Sequence, residues 1–299
     1  MTAAPASAAP RPSPAAELAR EFAASPVALA SLVVLLGIVA AALFAPLLAP
    51  QHPYDLAALD LMDGRLPPGS VGASGIVFWL GTDSQGRDLL SAILYGLRTS
   101  LGVAAVSGLL SFTVGTAAGL AAAFAGGRVE AAIMRLVDLQ LSFPTILLAL
   151  ILVAALGPGL PQVVLAIAAA QWAYFARTAF GAALRERRRD YVEAALGLAL
   201  GRGRVLFRHI LPNCLPPLIV VATVQIASSI ALEATLSFLG LGLRITQPSL
   251  GLLIANGFQY MLSGRYWMSV FPGIALLITI LAVNLVGDRL RDLLNPRLR

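Results

Sequence analysis

Apolar runs of membrane-spanning length alternate with short polar tracts along most of this chain. Residues 27–48 carry no charge over 22 positions, enough to cross roughly 30 Å of hydrocarbon as a helix. The run exceeds the roughly 7–15 apolar residues of a cleaved leader, so it predicts an uncleaved first span. Further spans are predicted at 101–125, 139–156, 161–180, 215–239 and 267–285. Six spans make an all-α polytopic membrane protein with both termini on one side.

The polar tracts divide the chain. Residues 1–25, rich in Ala, Pro and Ser at the start, predict a disordered tail, and 26–49 hold the first span. Residues 50–98 set Asp55, Asp60, Asp63, Asp83 and Asp88 against Arg65, Arg87 and Arg98. That tract ends in an amphipathic elbow helix with Thr82 or Asp83 as its N-cap and Leu89, Leu90, Ile93, Leu94 and Leu97 on one face. A core of 99–288 follows, then a tail of 289–299. Within the core, the connector 240–266 offers Asn256, Gln259 and Tyr260 either to a protein partner or to the membrane surface.

The longest polar interruption of the core is 184–213. Residues 184–200 read as a helix charged by Arg185, Glu186, Arg188 and Arg189. Gly197, Gly201 and Gly203 place a turn after it. A second short helix, 204–211, sets Val205, Leu206, His209 and Ile210 on one face, and Pro212 is expected to close it. The product is a helix–turn–helix with a small-residue face at Glu193, Ala194 and Ala195.

Composition sharpens this picture. The chain of 299 residues is 58% hydrophobic and 12% charged, about half the charge of a soluble domain. Its 21 basic residues are all arginine. Without lysine there is no phosphate-gripping GxxxxGK loop and no Schiff base, so any ATPase must be another chain. One cysteine, Cys214, and two histidines, His52 and His209, leave no metal cluster; Cys214 and His209 read as packed residues. Sixteen arginines fall on the side of the termini and the 184–213 loop, eight of them at 177–208. Five (Arg65, Arg87, Arg98, Arg244 and Arg265) fall on the other. The positive-inside rule puts the termini and the loop in the cytoplasm, and it accounts for the charge of +6 without nucleic acid.

Glu-Ala-Ala, a glycine-containing turn and Ile210-Leu211-Pro212 together resemble the coupling loop of ATP-binding-cassette importer permeases. The form His209 to Asn213 resembles the peptide and nickel branch, as do LGTD with GRD near residue 80, LSFLGLG after Glu233, and the C-terminal end. The resemblance implies a five-helix type I importer core behind the first span, in a bacterial inner membrane. It implies a homologous second permease, two cytoplasmic ATPases that carry ATP and Mg, an extracytoplasmic solute-binding protein and surrounding lipid. This chain would then hold no cofactor and no catalytic residue. Glu193, Ala194, Ala195, Gly197, Gly201, His209, Ile210, Leu211 and Pro212 form the coupling loop by the same resemblance. The family's usual glycine, six residues after the Glu, is replaced by Ala199, which reads as a shifted turn. The implied solute is a di- or oligopeptide, with nickel chelates or glutathione as narrower alternatives.

Glu233 lies within the fifth predicted span. It either contacts the pore or a neighbouring helix, or solvates at the outer interface. An ion-coupled secondary transporter or channel is the alternative class, and would use Glu233 and Asp138 as relays. An intramembrane protease is disfavoured because no HExxH occurs.

Overall fold

A backbone in lipid must satisfy its own hydrogen bonds, so this sequence resolves almost wholly into helices. The computed structural model describes residues 14–55, 59–244 and 247–294. Part of the expected tail is ordered: α1 (Pro14–Ala23) is helical, and Arg289 near the other end of the chain donates to the Glu21 carbonyl. Residues 1–13 and 295–299 lie outside the described residues. The first span is α2 (Pro26–Leu43), capped by Ser25 accepting from the Ala28 amide, and followed by the single turn α3 (Ala45–Leu48).

The tract after α3 folds into a cap containing the chain's two-stranded antiparallel ribbon, β1 (Ser70–Val71) with β2 (Val77–Phe78), in register Ser70 to Phe78. Asp83 and Arg87 form a buried ion pair at 2.6 Å, and the Trp267 indole donates to the Thr82 carbonyl at 3.4 Å. Among the described residues there is no separate elbow helix. One 37-residue helix, α4 (Leu89–Ala125), absorbs both the elbow and the second span, and its N-cap is Asp88, bonded to the Ser91 amide at 2.8 Å. Thr82 and Asp83 are spent on the cap itself, Thr82 donating to the Asp63 carbonyl at 2.6 Å. No proline interrupts 89–125, so nothing ends the helix at the membrane surface.

The predicted span 139–156 is also redrawn. It straddles a break between α5 (Gly127–Leu141) and α6 (Thr145–Leu156), which meet at 95°. Pro144 opens α6 and biases the residue before it away from the helical region, which separates the two. Among the described residues, five helical segments are individually long and apolar enough to span: α2, α4, α7 (Leu160–Arg187), the run Arg202–Phe238 and α12 (Trp267–Leu294). The bent pair supplies a sixth if it counts as one span.

Small residues let these helices approach closely, as lipid-embedded packing requires. On α4, Ser111 donates to the Ala168 carbonyl of α7 at 3.2 Å. A Cβ at Gly115 would fall 2.2 Å from the Trp172 carbonyl oxygen, and one at Gly119 2.3 Å from that of Ala176. The described part of the connector 240–266 is divided, with Leu262 and Tyr266 exposed and an inner helix largely buried. Its helix α11 (Leu250–Phe258) is drawn into the bundle, where Gly251 touches the Ala234 backbone and Gly257 the Met268 backbone. Asn256 and Tyr260 are half-buried there, and Gln259 is exposed.

Candidate functional site

The polar island between α7 and the next span folds back onto the helix ends beside it. The expected helix 184–200 is two: α7 runs to Arg187, the chain bends at Arg188, and α8 (Asp190–Gly197) begins. At the bend the Arg187 guanidinium donates to the Ala123 carbonyl and lies 5.6 Å from the Phe124 ring centre. A cation there answers the unsatisfied carbonyls and the partial negative charge at the end of α4.

The turn after α8 is not shifted. Ala199 itself adopts φ +54°, while Leu198 donates to the Ala194 carbonyl at 3.0 Å and Leu200 to that of Ala195 at 3.2 Å. The Leu200 bond is the six-to-one bond of a Schellman-type cap, with alanine in the left-handed position that glycine ordinarily fills. Gly197, Gly201 and Gly203, which the sequence offers for the turn, have ordinary φ angles.

Gly201 then caps α9 (Arg202–Val205), a π-helical turn covers Leu206–Ile210, and α10 (Leu211–Phe238) continues on the same axis. Pro212 therefore does not end the second short helix. It sits in the first turn of α10, where the extra residue of the π turn accommodates a residue without an N–H. Asn213 helps by donating to the His209 carbonyl at 2.7 Å.

The loop has two faces. Val192, Ala195, Val205 and Ile210 are buried against Ala123, Ala179, Ala183 and Cys214. Glu193, Ala194, Gly197, Gly201 and Pro212 face outward, with His209 and Leu211 between. Ala195 thus turns away from the face predicted for it. Two residues that sequence reasoning passed over complete the outer surface: Leu198 and Phe207, 77% and 67% exposed. The signal was available, because on a helix starting at Asp190 the burial of positions 192 and 195 points 194 and 198 outward. A polar clamp ties the pieces: Tyr191 donates to Glu186 at 2.5 Å and accepts from Asn213 at 3.1 Å. Partial burial, then the Glu186 carboxylate, raises the Tyr191 phenol above its ordinary pKa and keeps it a donor.

Glu233 is fully buried in α10, which overturns the solvated placement. Its two carboxylate oxygens accept from Ser100 of α4 at 2.6 Å and Ser237 at 2.7 Å, and the Ser249 hydroxyl before α11 bonds it as well. A buried carboxylate is tolerable only with such partners. Asp138 instead pairs with Arg177 where both are exposed.

Residues 115–299 match the family model of the binding-protein-dependent transport system inner membrane component. The chain belongs to that family. Residues 13–68 also match the N-terminal transmembrane domain of oligopeptide transport permease C. Among relatives of this permease, the di/tripeptide transport system permease protein DppC of Pseudomonas aeruginosa is 41% identical, over 96% of this chain and 94% of its own. The dipeptide permease DppC of Haemophilus influenzae is 38% identical over 91% of both chains. The nickel transport permease NikC of Escherichia coli is 39% identical over 82% of this chain and 86% of its own. In fold, the permease is similar to an inward-facing MetNI methionine ABC transporter (TM-score 0.56, 20% identity, 68% of this chain and 96% of that one). Such permeases are non-enzymatic multi-pass membrane subunits that act with a partner permease, an ATPase and a binding protein, which makes a free-standing channel or secondary transporter the poorer reading.

Proposed function

We propose that this permease forms one half of the translocation pathway of an ATP-driven importer of di- or oligopeptides, and that loop 184–213 receives a cytoplasmic ATPase subunit. The observation that carries it is the two-faced loop. Val192, Ala195, Val205 and Ile210 root it in the bundle, while Glu193, Ala194, Leu198 and Phe207 leave a small, partly apolar surface open. Apolar side chains this exposed on a charged loop suit a protein partner. Glu193, exposed on the same face, would meet a basic residue of that partner.

ATP and Mg bind the ATPases, and this lysine-free chain contributes movement. Closure of the ATPase dimer draws the two loops together and rocks the permease pair from inward- to outward-open. Membership of the family supports a bacterial inner membrane, and the arginine bias supports both termini and the loop in the cytoplasm. The names of the relatives favour a peptide solute, with the nickel permease as the narrower alternative.

Co-purification tests the reading. Tagged wild type and Glu193→Arg are isolated from membranes that also contain co-expressed candidate ATPase subunits. Wild type should retain the ATPases and the variant should lose them. No association by either form refutes the assignment.

A further inference from the structure

Far from the loop along α4, a cavity of about 650 Å³ opens between the first half of that helix and the start of α7. Its walls are mainly apolar, Val103, Val106 and Val164 among them, with Tyr54, Tyr95 and Arg98 also lining it. Pockets for small ligands fall at roughly 300–1,000 Å³ with this apolar-plus-few-polar lining. No Asp or Glu lines it, and among the described residues Arg98 has neither an ion pair nor a side-chain hydrogen bond. Tyr54 is held edge-on to Tyr95 with ring centres 5.2 Å apart, and its hydroxyl bonds Thr99, one residue from the guanidinium. Burial raises this phenol above its ordinary pKa, so it stays protonated. A permanently charged guanidinium thus borders an apolar chamber whose lining carries no carboxylate.

We infer that this cavity receives the solute on its way through the permease, with Arg98 pairing to the free C-terminal carboxylate of the peptide and the apolar walls taking its side chains. A guanidinium offers planar, two-pronged hydrogen bonding to a carboxylate. The inference rests on the peptide reading above and on the orientation that places this end of α4 outside.

The test uses the assembled importer, with both permeases and the ATPases in vesicles and saturating binding protein outside. ATP-driven uptake of a radiolabelled dipeptide is measured for wild type, Arg98→Ala and Arg98→Lys, in phosphatidylcholine alone and with added phosphatidylglycerol. Arg98→Ala is expected to slow uptake about tenfold or more in both lipids, since a charge-assisted bond to the solute is lost. Arg98→Lys should recover much of the rate, and subunit assembly should be unchanged. Uptake by Arg98→Ala within twofold of wild type overturns the inference. So does a loss seen only with phosphatidylglycerol, which would make Arg98 a lipid-headgroup contact, or a failure to assemble, which would make it a subunit contact. If wild type itself takes up no dipeptide, the peptide reading fails and this inference falls with it.

Discussion

Ala199 carries a side chain where its backbone conformation favours none, so replacing it by glycine should tighten the loop. At φ +54° a Cβ crowds the carbonyl oxygen beside it at a cost of about 1–2 kcal/mol. Glycine removes that strain, yet it gives back about 0.4–1 kcal/mol through greater freedom of the unfolded segment. The net gain is roughly 0.5–1 kcal/mol, or about a two- to fivefold rarer opening of the α8 cap, given RT ≈ 0.59 kcal/mol. Hydrogen exchange of the assembled permease reads this at the Leu198 and Leu200 amides, which close the cap. Ala199→Gly should slow exchange there by that factor and leave α4 unchanged. Ala199→Val, a β-branched residue at positive φ, should accelerate it beyond wild type. Unchanged or faster exchange in the glycine variant, with valine neutral, would refute a strained left-handed alanine.

Three further outcomes follow from the packing and the bonds. Gly115→Ala should shorten the heat-inactivation half-life in detergent, by the equivalent of about 1–3 kcal/mol. Gly108→Ala on the same helix, whose added methyl would sit 3.7 Å from Ile226, should leave that half-life unchanged. Ser100→Ala strands one buried Glu233 oxygen and should cost about 1–3 kcal/mol of stability; Glu233→Leu added to it should cost less than the two changes summed, which a double-mutant cycle measures. Leu198→Asp and Phe207→Asp should abolish ATPase co-purification at near-normal expression, whereas Val192→Asp, which buries a charge, should deplete the folded permease itself.

The sequence disclosed its large features wherever periodicity or charge alone decided them. Uninterrupted apolar runs announced α2, α7 and α12, and the island at 184–213 announced the loop. Context hid the rest. The elbow and second span look like two elements because polarity changes near Arg98, yet a helix needs only an unbroken backbone, and α4 runs on. Pro212 reads as a terminator under local rules, and only the π turn before it shows how the helix absorbs it. Glycine abundance drew the turn toward positions 197, 201 and 203, while the Schellman-type bond fixed it at Ala199. Glu233 could not be placed from its own neighbourhood, since Ser100, one of its partners, lies on a helix far away in sequence. The Ala199 departure from the family pattern was visible in the sequence, but its meaning was a backbone angle.

The close crossing at Gly115 divides α4 unequally. About 26 residues, near 39 Å of helix, lie on the side of the Asp88 cap, and about ten, near 15 Å, on the side that Arg187 grips. A rigid rod pivoting there is a lever with arms of roughly 2.6 to 1. Each ångström by which Arg187 displaces the short arm sweeps the Leu89 end through about 2.6 Å. If loop 184–213 is the coupling element proposed above, the Leu89 end would then travel farther than the loop, by a ratio set by where the glycine contacts with α7 fall along the helix.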